Sequence, residues 1–236
     1  MQVTGNNSFT DKRLSIRVAT DGFSFFTPQG RQDYAVGQDA SLAEQLDAAL
    51  RKHLLLKTEY REVRLLSDYP ATRIPLDEFR SEEAQSLYRL TFGEDSLTGL
   101  TIRYEVIPSL EVVEVFPVSS DVVETVQRHF PQATIHGWYG QLLQDTFDLC
   151  RQQEGEERTL YVNLQGHGMF VYSFAEGRLQ FANSYTARET STRQYFILYV
   201  WSQLEMDQQK DNCVLWGGDE ELTGGLKKFI RNIQCV

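Results

Sequence analysis

Leu160 to Ala182, LYVNLQGHGMFVYSFAEGRLQFA, decides how the rest of the chain is read. Its apolar and aromatic residues fall into three short runs. The two interruptions contain Gly166, Gly168 and Gly177, the residue type that tight hairpin turns use. The stretch therefore predicts three strands, Leu160–Leu164, Met169–Phe174 and Leu179–Ser184, joined by two turns. A weaker echo lies near the N-terminus at Leu14 to Ala35, LSIRVATDGFSFFTPQGRQDYA. At a gapless separation of roughly 147 residues, Phe23 falls on Phe170, Gly30 on Gly177, Arg31 on Arg178, Tyr34 on Phe181 and Ala35 on Ala182. Two readings stay open, a duplicated unit or two independent β-meanders, because aromatic strands and Gly-Arg after a hairpin are both common.

The chain has 236 residues, enough for one large or two small domains, and a net charge of −10. An acidic surface repels phosphate backbones, so nucleic acid is not an expected partner. The longest apolar run, Tyr195 to Trp201, is seven residues, against the ~18 that a bilayer span needs. With no apolar signal core in MQVTGNNSFTDKR, the expectation is a cytoplasmic protein without membrane insertion. Cys150, Cys213 and Cys235 are too widely spaced for a disulfide framework or a zinc site.

Outward from the central stretch, Leu14 to Val18 alternates like a half-buried strand, and Thr20-Asp21-Gly22 turns into a second strand at Phe23 to Thr27. Leu42, Leu46, Ala49, Leu50 and His53 recur at helical spacing behind a Ser41/Glu44 capping box. Tyr60 to Leu66 reads as a strand, and Asp77 to Thr91 as a helix with Phe79, Leu87 and Leu90 as its apolar positions. Strands follow at Thr101 to Ile107 and Glu111 to Phe116. Next come a helix carrying Val122, Val123, Val126 and Phe130, a strand at Ala133 to Trp138, and a helix from Gly140 to Gln152. After the central hairpins, Thr190 to Met206 reads as a helix that is apolar nearly all round at Tyr195–Trp201 and so buried between layers, and Cys213 to Trp216 as a strand. Asp219 then caps a last helix with Leu222, Leu226, Phe229, Ile230 and Ile233 on one face.

The order is β-β-β-α-β-α in the C-terminal half and β-β-β-α-β, then an altered stretch around 68–99, in the N-terminal half. This predicts an α/β protein of two ribonuclease-H-like halves, 1–117 and 118–236, and two such halves make the actin-like ATPase fold. VVEVFPVSSDVVETVQRHF, the central stretch and VLWGGDEEL resemble the strand-plus-helix, the second phosphate hairpin and the adenosine-site glycines of actin-like ATPases. The likeness is to the pilus-assembly and secretion-platform members in particular. As a whole the chain resembles a small bacterial family of unknown function with this fold.

The resemblance implies where chemistry would sit. A working actin-like ATPase places an Asp-X-Gly turn after the first strand of each half, whose carboxylates hold hydrated magnesium while the turn amides cradle phosphate. Taking Gly22 as the turn glycine puts Thr20 at the aspartate position, with Asp21 aimed to the other side. In the second half Asn163 stands near that position, followed by Leu164, Gln165 and Gly166, one residue too long. Mid-strand Ile16 and Asn163 argue equally against a two-metal nuclease. Gly217 and Gly218 would let the chain pass close to a nucleotide, but Asp219, Glu220 and Glu221 at the helix start oppose a phosphate. GGDEE at Gly217–Glu221 imitates the GGDEF of cyclic-dinucleotide synthases, yet it lies between a strand and a helix instead of on a hairpin. Among the histidines, His167 in the Gly166–Gly168 turn is the one to watch; His53, His129 and His136 read as structural.

The candidate ligand-binding residues are thus Thr20, Asp21, Gly22, Asn163, Gln165, Gly166, His167, Gly217 and Gly218, with no catalytic residue and no metal ligand. Magnesium-ATP is not expected as a cofactor. The expected function is a non-catalytic interaction scaffold with a protein partner and a degenerate nucleotide site. The alternative is a divergent nucleotide- or sugar-phosphate-binding enzyme using the cleft between the halves. A self-assembling structural subunit is a third reading.

Overall fold

The computed structural model describes residues 13–36, 41–52, 60–93, 97–150, 158–175 and 177–236. They form two compact units, one within 8–144 and one within 145–236.

In the first unit, β1 (Arg13–Ala19), β2 (Gly22–Thr27), β3 (Gly30–Ala35), β4 (Glu62–Ser67) and β8 (Thr134–Gly137) make a sheet of order β3-β2-β1-β4-β8. β2 is antiparallel to both neighbours, whereas β1, β4 and β8 are parallel. Alternation sends Leu14, Ile16 and Val18 of β1, with Phe23, Phe25, Val63 and Leu65, to one face. There they pack on Leu46 and Leu50 of α1 (Leu42–Lys52) and Val122 and Val126 of α3 (Ser120–His129).

The stretch between β4 and α3 forms a separate three-stranded antiparallel sheet, β5 (Thr72–Pro75), β7 (Val112–Ser119) and β6 (Leu100–Ile107), in the order β5-β7-β6. The expected helix over Asp77 to Thr91 is shorter. A 3-10 turn at Ser81–Glu83 leads into α2 (Ala84–Phe92), and Ala84 and Tyr88 face inward while Leu90 is 85 % exposed. The fully buried Tyr88 ring, with its hydroxyl donating to Pro70 O at 2.9 Å, sets the helix rotation in place of the leucines.

In the second unit, β9 (Thr159–Gln165), β10 (Gly168–Ala175), β11 (Arg178–Thr186), β12 (Asn212–Trp216) and β13 (Asn232–Cys235) repeat the same pattern as β11-β10-β9-β12-β13. β9, β12 and β13 are parallel, and β10 runs opposite to its neighbours. One face packs on α5 (Thr190–Gln203) and α6 (Glu220–Leu226) through Leu160, Val162, Met169, Val171, Ile197, Val200 and Leu222. Both sheets therefore have the ribonuclease-H-like order, and the echo between the two hairpins reflects a repeated topology.

Four expectations are corrected. The hairpin registers pair Ala19 with Gly22 and Gln165 with Gly168, which matches Phe23 with Met169 and not with Phe170. The gapless echo is one residue out, and one residue moves a strand side chain to the other face: Phe23 and Met169 sit in their cores, whereas Phe170 faces away. The last helix stops at Leu226, and Ile233 belongs to β13, pairing with Cys213. α5 is not buried all round, since Tyr195 is 62 % and Tyr199 47 % exposed. Finally, the expected division between 117 and 118 cuts off α3 and β8. Because α3 packs in the first core and β8 pairs with β4, the units instead divide inside α4 (Trp138–Cys150), between Gln144 and Asp145. No helix among the described residues is long and apolar enough to cross a membrane.

Candidate functional site

The candidate residues fall into two groups, one in each unit. In the first unit, Thr20 and Asp21 form the exposed tip between β1 and β2. Gly22 is required by close approach, since a Cβ there would lie 2.1 Å from Tyr34 O. The Asp21 carbonyl accepts the Val36 N–H at 3.1 Å, closing the end of the sheet.

In the second unit, Gly166 and His167 form the matching tip between β9 and β10, with Gly166 in the left-handed region at φ 55°. His167 is exposed. Its carbonyl accepts the Ala187 N–H at 2.8 Å, and Gly166 O accepts from Arg193 of α5, which ties the hairpin to the helix. Asn163 pairs with Trp216 at the end of β12, and Gly217 follows with φ 77°, where a Cβ would lie 2.6 Å from Leu164 O. The structure thus gathers Asn163, Gln165, Gly166, Gly217 and Gly218 at the C-terminal ends of β9 and β12. Gln165 Oε1 is buried there without a partner among the described residues. α6, the helix after the glycines, has seven residues, and Asp219 Oδ1 accepts its Leu222 N–H at 2.8 Å.

The residue that sequence reasoning missed is Arg17. Asn163 pairs with Phe170 and Trp216; in the repeated sheet the equivalent position pairs with Ser24 and Leu66, and it is Arg17. Thr20 is the counterpart of Gly166 at the hairpin tip and not of Asn163. Arg17 makes an ion pair with Asp68, just beyond β4, and its guanidinium lies 5.5 Å from the Trp138 ring centre. The Tyr139 hydroxyl hydrogen-bonds to the same carboxylate. Burial lifts the Asp68 carboxyl above its ordinary value although Arg17 and Tyr139 pull the other way, and burial together with Asp68 lifts the Tyr139 phenol.

The same unit holds a second buried acid. Glu114, mid-strand in β7 and 0 % exposed, accepts from Arg73 at 2.9 Å and from the Gly140 N–H in the first turn of α4 at 2.8 Å. It thereby caps α4 from another strand. Two glycines make room: a Cβ on Gly137 would lie 1.9 Å, and one on Gly140 2.4 Å, from Glu114 Oε2. Burial raises the Glu114 carboxyl, against Arg73 and the Gly140 N–H. His136 Nδ1 meets Glu105 at 2.7 Å and His129 Nε2 meets Asp47 at 2.7 Å; His53 lies outside the described residues. Both buried carboxylates are thus committed to guanidinium, N–H or O–H donors. Among the described residues no three His, Cys, Asp or Glu side chains converge in a group able to hold a metal ion. The GWYG spacing at Gly137–Gly140 and the lone acid in VVEVF were the available signals, but their meeting spans chain positions that no local pattern connects.

With this geometry established, comparisons place the chain among known proteins. A family model described as a protein of unknown function, DUF3822, matches residues 5–233. Curated proteins give no match. A crystal structure from Bacteroides thetaiotaomicron VPI-5482, of a protein with an actin-like ATPase fold and unknown function, aligns with a TM-score of 0.81 at 27 % identity, covering 98 % of this chain and 94 % of that one. The PilM–PilN type IV pilus biogenesis complex aligns with a TM-score of 0.56 at 10 % identity, covering 95 % of this chain and 88 % of that one. The fold of this chain is the actin-like ATPase fold.

Proposed function

The chain belongs to the DUF3822 family and has the actin-like ATPase fold, and we propose that it uses this fold as a non-catalytic interaction scaffold whose nucleotide site has degenerated. One observation carries the reading. The matched mid-strand positions of the two sheets hold Arg17 and Asn163, a guanidinium and an amide. Holding hydrated magnesium against phosphate needs carboxylates on such strands. Arg17 puts a fixed positive charge there instead and neutralises Asp68, its nearest acid, from within the protein. After Gly217-Gly218 the Leu222 amide in the first turn of α6 already serves Asp219. The partner of such a scaffold is a protein, by analogy with PilM, which is seen in complex with PilN. The net charge of −10 disfavours nucleic acid.

Thermal unfolding with and without millimolar magnesium-ATP or ADP tests this reading. A nucleotide held at ~100 times its dissociation constant adds about 2.7 kcal/mol to the folded state. For a chain of this size that raises the midpoint by roughly 5–10 °C. The scaffold reading expects no shift with either nucleotide, together with a specific protein captured from native lysate. A shift of that size, abolished by replacing Gly217 or Gly218, would favour the alternative, a nucleotide- or sugar-phosphate-binding enzyme.

A further inference from the structure

We propose that a cavity in the second unit, on the sheet face opposite α5 and α6, is a binding site for a small, uncharged, flat molecule, distinct from the degenerate nucleotide site. The cavity measures about 390 Å³ and lies over β9, β12 and β13, with the C-terminal turns of α4 forming one wall. That volume is in the range of small-molecule pockets and far above the voids that close-packed interiors leave.

Its lining specifies the ligand. None of the thirteen described residues that line it carries a charged side chain. A phosphate or carboxylate entering it would lose its water without gaining a counter-charge. Burial raises the Cys150 thiol and the Tyr161 phenol, so both stay protonated at neutral pH, and they are bonded to one another at 2.8 Å. The floor is aromatic. Tyr161 and Trp216, both in the lining, lie 5.8 Å apart with ring planes 18° from parallel. A flat ring stacks on such a surface in the offset manner that aromatic pairs prefer.

Polar groups at the edges remain unspent. The Thr146 hydroxyl is taken by Tyr172, at 2.9 Å. The side-chain amides of Asn212 and Gln234, which also line the cavity, make no hydrogen bond among the described residues. Donors and acceptors placed around a ring platform recognise the edge of a heterocycle or an aromatic amide.

The test follows the indole N–H signal of Trp216 by NMR in the full chain, told apart from Trp138 and Trp201 by a Trp216→Phe variant, during titration with nicotinamide, indole and caffeine. Nicotinate, which has the frame of nicotinamide with a negative charge, is the control. The expected result is a saturable shift with at least one neutral probe, half-complete at or below about 1 mM, and none with nicotinate. Val214→Phe, which fills the cavity from its floor, should abolish the shift while the unfolding midpoint is retained. If that variant fails to fold, Gln234→Ala should weaken binding about threefold to tenfold. Three results would each overturn the proposal: no neutral probe moves the Trp216 signal, nicotinate binds as well as nicotinamide, or binding survives both substitutions unchanged. The outcome is independent of the magnesium-ATP experiment, because Gly217 and Gly218 do not line the cavity.

Discussion

In the sheet of the first unit, the face turned away from α1 and α3 carries Arg13, Arg17, Glu62 and Arg64, with Ser15 and Ser24 between them. In the sheet of the second unit the matching positions carry Thr159, Asn163, Asn212 and Val214, with Tyr161 and Phe170 in place of the serines. Phe26 becomes Tyr172, and Leu66 becomes Trp216. One side is stitched by ion pairs: Arg13 meets Glu62 at 2.7 Å, Arg64 meets Glu62 at 2.5 Å, and Arg17 holds Asp68. The other is tiled with rings and, where the first unit has its Arg13–Glu62–Arg64 ladder, leaves a cavity. Strand order and the two inward-facing cores are shared, so backbone topology constrains only the face that buries apolar side chains against helices. The second face is free to diverge, and in this protein it has diverged into two different chemistries.

The comparison breaks most visibly at Arg17. Arg17→Met leaves the buried Asp68 carboxylate without its counter-charge and should cost about 3–5 kcal/mol, measured by urea unfolding. Arg17→Met combined with Asp68→Leu should recover most of that loss, because an apolar pair in place of a buried ion pair is often neutral or stabilising. If the double variant is no better than the single one, the ionic face is specified by more than this pair. Next in size, Gly137→Ala drives a methyl into Glu114 Oε2 and should cost about 1–3 kcal/mol. A parallel Gly168→Ala, whose Cβ would meet nothing closer than 3.4 Å, separates steric conflict from the general effect of losing a glycine.

On the aromatic face, Tyr172→Phe keeps the ring and removes the buried hydrogen bond to Thr146, an expected loss of roughly 0.5–1.5 kcal/mol. The smallest effect is acid sensitivity. Burial alone would raise the Glu62 carboxyl, but hydrogen bonds and charge from Arg64 and Arg13 outweigh it and hold it below the ordinary 4.5. A carboxyl whose folded value is depressed adds stability above its unfolded value and loses that contribution as pH falls through the folded one. The protein should therefore lose stability below pH 4.5, and Glu62→Gln should flatten part of that slope in unfolding midpoints taken from roughly pH 6 to 3. An unchanged slope would show that the ladder contributes nothing to the ionic face.

Much of the fold was legible before any coordinates. The strands of both hairpins, α1, α3 and the Asp219 cap lie where alternation, helical spacing and capping chemistry put them. Gly22 reads as a turn glycine and Gly217 as a glycine beside a nucleotide, whereas in the structure each is required by a close approach to the chain itself, at Tyr34 O and Leu164 O. The site was less legible. Thr20 was an attractive stand-in for a missing aspartate because it precedes a glycine, but position in a turn does not reveal which strand residue is equivalent between repeats. Arg17 looked like an ordinary outward residue of an alternating strand. Only its partner, 51 residues away, makes it a buried ion. Glu114 lies within the strand expected at Glu111 to Phe116 with nothing local to single it out, and its burial depends on Arg73, Gly137 and Gly140 meeting it from three other segments.

By itself, then, the sequence determined what short-range physics controls: which segments extend or coil, where glycine and aspartate end them, and which face of each strand is apolar. Tertiary structure alone decided register, partners and space. Shifting a strand by one residue keeps its composition and reverses its faces, which is how Met169 and not Phe170 came to match Phe23. The partners of Arg17 and Glu114, and the cavity beside Trp216, are set by long-range pairings whose cost and gain are spread over the whole unit, so no local stretch encodes them.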